Sequence, residues 1–178
     1  QNTGAVSVES ANVATAHSQA IPGAEYVGSG ECRSCHRSMA SDHADTRHAL
    51  ALQEAGSDAI LGDFSQEDPA LQVQFPGEDA PRQLTEDDIA YVVGSGRAVQ
   101  RYLYRGDRND YMVLPAEWNV AEQKREPYTL SDEWPSQEYD WEDNCAYCHT
   151  TGYDPERSRW EDDGVQCESC HGPASVHV

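Results

Sequence analysis

Three copies of one short cysteine motif constrain this chain more than any other feature of its sequence. All six cysteines occur in pairs with two residues between them, and a histidine directly follows each pair. The copies are Cys32-Arg33-Ser34-Cys35-His36, Cys145-Ala146-Tyr147-Cys148-His149 and Cys167-Glu168-Ser169-Cys170-His171. Residues three positions apart lie on one face of a helical turn, so both sulfurs can reach the same porphyrin while the following imidazole projects to the same side. This spacing is that of covalent haem c attachment.

Other uses of paired cysteines explain less of the pattern. The second and third pairs have the spacing of a zinc ribbon, but zinc would leave the first pair without partners and the three histidines to coincidence. Three disulfides in a secreted protein would ignore the histidines as well, and a thioredoxin-like pair needs a strand-then-helix context that the sequence lacks. The motifs therefore predict three haem c groups and no disulfide. They also predict His36, His149 and His171 as proximal iron ligands.

Each iron needs a second axial ligand or an open position. Four histidines remain, namely His17, His43, His48 and His177. Four candidates for three irons favour bis-histidine ligation, whereas His/Met ligation would raise the reduction potential. Met39 lies three residues after a proximal histidine, on that haem's proximal side, and Met112 lies in an apolar run that is typical of core packing.

The four remaining histidines differ in their sequence context. His48 is expected on a helix from about residue 38 to 53, as a ligand to a haem other than that of His36. His177 follows His171 across a Gly-Pro turn, and His17 becomes a candidate because ligands are needed. His43 would lie about 140° from His48 around the same helix, and it remains a distal alternative.

Composition narrows the functional classes. The chain has 32 acidic and 12 basic residues, for a formal charge of −20, which argues against a nucleic-acid or anionic-lipid partner. The charge is compatible with an ordinary solvated acidic surface and with adaptation to high salt, where screening weakens self-repulsion. No apolar run approaches the ~18 residues of a membrane span. The first four residues resemble a mature end left by processing rather than a signal peptide.

The rest of the sequence predicts a mostly irregular, haem-packed multihaem cytochrome c fold with a few short helices and a small β-hairpin. Because the apolar fraction is modest, a protein-only core should be thin, and the haems are expected to fill the interior. We expect residues 1–25 to form an extended N-terminal segment, a candidate intersubunit arm, and residues 26–178 to form a trihaem domain.

Regular elements are predicted at three places in the middle of the chain. Thr85 and Asp88 indicate a helix start, with the helix running to Val93. Residues 99–104 and 111–114 are predicted to form the hairpin, and residues 57–84 and 115–144 to be loops. Three tryptophans of the second loop are expected to pad haem edges or the core: Trp118, Trp134 and Trp141.

Several segments resemble the multihaem cytochromes related to the tetrahaem cytochrome of ammonia oxidisers. The similar segments are residues 25–29, 46–49, 88–94, 101–103, 113–119, 144–155 and 164–173. The resemblance covers residues 26–178 and implies bis-histidine haems with His48 and His177 as distal ligands. A tryptophan usually stands at the position of His43, which lowers that residue as a ligand. The sequence departs from this family in two ways. It has three attachment motifs, whereas members commonly carry four or more haems, and it ends one residue after His177.

The same group includes extracellular cytochrome filaments, or nanowires, in which a histidine of one subunit ligates a haem of the next. The resemblance implies an electron-conducting extracellular protein that assembles head to tail with identical subunits, with His17 crossing the interface. Its redox partners would be proteins or extracellular electron acceptors.

Two other functions stay open. One is a soluble monomeric electron shuttle, periplasmic or extracellular, that its acidic surface steers to a basic partner. The other is a haem reductase, which needs an iron with an open position. The number of histidines and the lack of a Cys-x-x-Cys-Lys variant favour an electron carrier over an enzyme.

Overall fold

The computed structural model describes residues 21–56, 58–108 and 110–178. Most of the predicted N-terminal segment, including His17, therefore lies outside the described residues. The α-helices within these ranges are short and carry the cysteine motifs or adjoin them: α1 Ser29–Cys35, α2 Arg37–Ala44, α3 Trp141–Asn144, α4 Ala146–His149 and α5 Cys167–His171. None of the described helices is long and apolar enough to cross a bilayer.

A five-stranded antiparallel sheet forms the centre of the fold, in the order β1-β4-β5-β6-β7. Its strands are β1 Leu52–Glu54, β4 Tyr91–Val93, β5 Val99–Arg105, β6 Tyr111–Asn119 and β7 Lys124–Pro127. Two smaller pairs complete the described strands: β2 Gln72–Val73 with β3 Arg82–Gln83, and β8 Thr150–Thr151 with β9 Asp162–Asp163. β5 and β6 form the longest pairing, which runs from Val99 opposite Asn119 to Arg105 opposite Tyr111.

The sheet has a hydrophobic cluster on each face, because neighbouring strand residues point to opposite sides. Tyr102 and Leu114 belong to the loop-side cluster, which also contains Phe64, Leu71, Val73, Phe75 and Leu84. Leu103 and Val113 belong to the motif-side cluster, which also contains Leu52, Tyr111, Tyr139, Trp141 and Ala146. The motif-side cluster thus reaches the second cysteine motif through Ala146.

The predicted hairpin is confirmed, but it is the middle of a larger sheet. β6 continues to Asn119, β7 follows, and α3 occupies residues 141–144, so the prediction of a loop over residues 115–144 is wrong at both ends. The loop predicted over residues 57–84 is likewise interrupted by β2 and β3. Trp118 and Trp141 are buried in the two clusters. The sheet therefore has a protein core of its own, and the expectation that haems fill the interior is not needed to explain this part of the molecule.

Two predicted helices are shorter than expected because their ends join the sheet. The helix predicted over residues 38–53 ends at Ala44, and Leu52 pairs with Val93 in β1 and β4. His48 consequently lies in a turn before the 3₁₀ turn Ala49–Ala51, and the predicted angle between it and His43 does not apply. The capping box of Thr85 and Asp88 is present, but it begins only the 3₁₀ turn Glu86–Asp88.

Candidate haem centres

Each cysteine motif forms a short helical turn that presents its sulfurs towards the surface. In all three motifs the first cysteine is half-buried and the second is exposed, and none of the six forms a disulfide. His36 lies between α1 and α2, whereas His149 and His171 end α4 and α5. Two sulfurs on one helical turn with an imidazole beside them are the donor set that haem c attachment requires. The local geometry therefore fits this group at each motif.

The rings of His36 and His177 lie close together and nearly parallel, although 141 positions separate the two residues in sequence. Their ring centroids are 6.2 Å apart and their planes differ by 18°. Both side chains are exposed. The structure thus brings one predicted distal histidine to the first motif.

Backbone contacts hold the segment around His177 against the residues that precede the first motif. Glu25 donates its N–H to Ser175 Oγ at 2.8 Å, and Ser175 donates its N–H to the Glu25 carbonyl at 3.1 Å. The carboxylate of Glu168 accepts from the N–H groups of Val27, Gly28 and Ala174. These contacts fix where His177 stands relative to α1.

His149 has one ring nitrogen engaged by the backbone and the other available. Its Nδ1 lies 3.3 Å from the carbonyl oxygen of Ala51, an acceptor that selects the tautomer with the proton on Nδ1. A backbone carbonyl on the second nitrogen is the usual support of a metal-ligating histidine. The buried ring of Trp141 packs against the imidazole with centroids 5.8 Å apart.

The turn at residues 48–51 lies between the second and third motifs. The His48 carbonyl accepts the Val165 N–H at 2.9 Å, and the Ala49 carbonyl accepts from Gln166 Nε2 at 3.4 Å. Gly164 makes this close approach possible, since a Cβ on it would collide with the Ala49 carbonyl oxygen and its φ of +73° is left-handed. The His48 side chain is exposed.

His43 has a bond that competes with iron ligation. Its Nε2 lies 2.9 Å from the carbonyl oxygen of Val165. Because a carbonyl only accepts, this bond places the proton on Nε2 and leaves Nδ1 as the free nitrogen. The contact ties α2 to the residues that lead into the third motif.

Thr151 joins the second motif to the third. Its buried hydroxyl donates to the Gly164 carbonyl at 2.8 Å and accepts the Gln166 N–H at 2.8 Å. It also lies 2.7 Å from Ser169 Oγ, inside the third motif. A hydroxyl has one proton, so Ser169 must be the donor in that last bond.

One cysteine of the first motif is also close to a cysteine of the third. Cys32 contacts Cys167, and the pKa of the Cys32 thiol is raised by burial and by the nearby Cys167 and Glu168. Burial likewise raises the pKa of the Cys145 thiol. Among the described residues there is no group of three or more histidine, cysteine or acidic side chains arranged to hold a metal ion.

Two residues of these centres had no signal in the sequence pattern. Glu168 lies inside the third motif and Thr151 two residues after the second, but the haem-attachment spacing says nothing about either position. Both act through contacts with residues that are remote in the chain. Glu168, for example, bonds to Val27 across 141 positions.

Comparison with known proteins gives one sequence family and two related folds. The family described as cytochrome c554 and c-prime matches residues 115–172. The crystal structure of the outer cell wall cytochrome OcwA is similar over 85% of this chain, with 25% identity and a TM-score of 0.64. The undecahaem cytochrome from the S-layer of Carboxydothermus ferrireducens is similar over 88%, with 22% identity and a TM-score of 0.59.

Both structures are of much longer chains. The similar region is 32% of the length of the first and 22% of the second. No curated protein matches the chain significantly.

Proposed function

We propose that the chain is a multihaem c-type cytochrome that transfers electrons through three haem c groups on its three cysteine motifs. A bound haem c supplies an iron that changes between ferrous and ferric states, with a potential set by its axial ligands and surroundings. The chain supplies the three cysteine pairs and holds His36, His149 and His171 as the proximal ligands.

The spacing of His36 and His177 is the observation that best supports this proposal. Two imidazoles that would hold the same iron need ring centres about 6 Å apart, since a metal–imidazole bond is about 2 Å long and the ring centre lies about 1 Å beyond the nitrogen. The two rings are 6.2 Å apart and nearly parallel. We therefore assign them as the axial pair of the first haem, within one chain.

The other distal ligands follow from the positions of the remaining histidines. His48 is assigned to the second or third haem, since its turn contacts His149 of the second motif and Val165, two residues before the third motif. His43 is a poorer ligand because its Nε2 bonds Val165. Within the described residues this leaves one iron without an obvious distal ligand, and His17 is the remaining candidate.

A ligand supplied by His17 would suit a filament. If His17 serves a haem of a neighbouring copy, the contact is directional and generates an open head-to-tail assembly. The similarity to an outer cell wall cytochrome and to an S-layer cytochrome supports an extracellular or cell-surface location. The alternative is a diffusible electron shuttle, which the charge of −20 would favour through electrostatic steering to a basic partner.

The haem assignment is tested by mass spectrometry and electron paramagnetic resonance of the protein made in a haem-maturing host. We expect a mass with three covalent haems and entirely low-spin iron. A wild-type protein without covalent haem would refute the function, and a stable high-spin fraction would favour a reductase with an open iron.

Assembly is tested by electron microscopy of the native protein and of His17→Ala. Filaments that disappear in His17→Ala and persist in the control Gln19→Ala would support the interface ligand. Filaments that persist in both variants would refute it. Single particles in the wild type would favour the shuttle.

A further inference from the structure

Glu168 is the most deeply buried acidic side chain in the described part of the molecule, at 2% exposure. It lies between Cys167 and Cys170, inside the third motif. A buried carboxylate is unfavourable unless its oxygens are hydrogen-bonded. The hydrogen-bond partners of this carboxylate therefore indicate its structural role.

The carboxylate bridges two segments that both belong to the first haem centre. Oε2 accepts the Gly28 N–H at 2.8 Å and shares the Val27 N–H with Oε1, at 3.1 Å each. Oε1 also accepts the Ala174 N–H at 2.8 Å. Val27 and Gly28 immediately precede α1, which carries the first motif, and Ala174 is three residues before His177.

The bridge is supported at both ends. Gly28 has a φ of +82°, and Asp162 caps the adjoining Ser29 N–H at 2.8 Å. On the other side, the Ala174 carbonyl accepts the His177 N–H at 2.8 Å in a tight turn. A change at Glu168 therefore reaches His177 through one peptide turn, while α1 keeps a second support.

We propose that Glu168 is a positioning residue for the first haem. Although Glu168 lies in the third motif, it holds His177 at the distance from which His177 would complete the ligation of that iron. The inference rests on the proposed function, since it assumes that His36 and His177 are an axial pair. This proposal makes ligation of the first haem depend on the folding of α5, the helix of the third motif. The exposed imidazole of His177 has little other packing to hold it, because its neighbours Val176 and Val178 are 57% and 62% exposed.

The test compares Glu168→Gln with Glu31→Gln. Glutamine keeps the size of the side chain, but its NH₂ group faces backbone N–H donors where the carboxylate had an acceptor. Glu31→Gln removes the same charge from an exposed side chain on α1 itself, so it controls for electrostatic effects. Both variants are first purified with all three haems and checked by mass.

We expect Glu168→Gln to convert one haem in three to the high-spin form in the resonance and visible spectra. Added imidazole should restore the low-spin spectrum by taking the vacated position. His177→Ala should give the same spectrum and the same rescue. Glu31→Gln should stay entirely low-spin.

If Glu168→Gln does not acquire all three haems, Ser175→Ala provides a second test of the proposal. This milder variant removes only the acceptor of the Glu25 N–H, and we expect a smaller high-spin fraction of the same haem. The proposal is refuted if Glu168→Gln and Ser175→Ala both stay low-spin while His177→Ala becomes high-spin. If His177→Ala also stays low-spin, the assignment of His36 and His177 to one iron is wrong. A wild-type protein without haem would instead refute the proposed function.

Discussion

At the scale of single residues, hydrogen bonds separate the candidate ligands better than sequence position does. His149 has Nδ1 engaged by the Ala51 carbonyl and Nε2 free, which is the arrangement of a supported ligand. His43 has the opposite arrangement, because the Val165 carbonyl holds Nε2. His48 has an exposed side chain and makes its described hydrogen bonds through its backbone.

These differences predict opposite spectra for two alanine variants. His48→Ala should leave one haem in three high-spin, whereas His43→Ala should keep all haems low-spin and lose about 1 kcal/mol of stability with its hydrogen bond. The spin states are measured by electron paramagnetic resonance and the stabilities by urea unfolding. A high-spin haem in His43→Ala alone would exchange the roles of the two histidines.

At the scale of elements, the approach of the turn at residues 48–51 to the third motif depends on Gly164. Gly164→Ala would add a Cβ against the Ala49 carbonyl at a left-handed φ, so we expect a loss of about 3 kcal/mol or more together with a displaced His48. Gly30→Ala is the matched control, because its Cβ would meet nothing within 4 Å and alanine favours a helix. Thermal unfolding and the haem spin state measure both effects. A Gly164→Ala protein as stable as the wild type would contradict the close approach.

The segment between β3 and β4 gives a prediction about the stability of the fold that does not involve the haem centres. Arg82 bonds both oxygens of Asp88, at 2.7 and 2.8 Å, and stacks over the Phe75 ring at 4.1 Å. Burial raises the pKa of Asp88, but the bonds from Arg82 and Thr85 outweigh it and leave the pKa below its usual value. Asp88 therefore stabilises the fold above the pKa of about 4 of an unfolded aspartate, and this contribution is lost as the pH falls through the lower folded pKa.

Arg82→Met should reduce the free energy of unfolding at neutral pH by about 1–2 kcal/mol, since Asp88 would stay mostly buried with fewer partners. It should also weaken the dependence of stability on pH in the acid range. Arg108→Met is the control, because that arginine is 90% exposed and should change stability by less than about 0.5 kcal/mol. Urea unfolding from acid to neutral pH measures both variants. An unchanged acid dependence in Arg82→Met would contradict the assigned pKa shift of Asp88.

The elements also show which parts of the structure a sequence can predict. The three motif helices and the β5–β6 hairpin follow from residues close together in the chain, and both predictions are confirmed. β1 and β4 are three residues long and pair with each other across an intervening segment, so no local period identified their sheet. The bond from the Val27 N–H to Glu168 spans 141 positions and is equally invisible in local patterns, which is why Glu168 could not be identified beforehand.

At the scale of the whole molecule, charge is the dominant property. The chain has an excess of 20 acidic residues and a single lysine, Lys124, which already contacts Glu122 and Glu126. Most of the negative surface must therefore be balanced by solvent cations rather than by basic side chains. The Debye length falls from about 10 Å at 0.1 M salt to about 3 Å at 1 M, so self-repulsion in the folded state should weaken over that range.

We therefore expect the Tm of the haem-loaded protein to rise by several degrees between about 0.1 M and 2 M KCl, because screening removes a repulsion that the compact state feels more than the unfolded chain. Differential scanning calorimetry measures the Tm at each KCl concentration. A triple variant, Glu67→Gln, Asp79→Asn and Glu133→Gln, removes three exposed charges and should start at a higher Tm and gain less from salt. A Tm that is constant or falls with KCl would contradict adaptation to high salt, and the acidic surface would then serve solubility and partner steering alone.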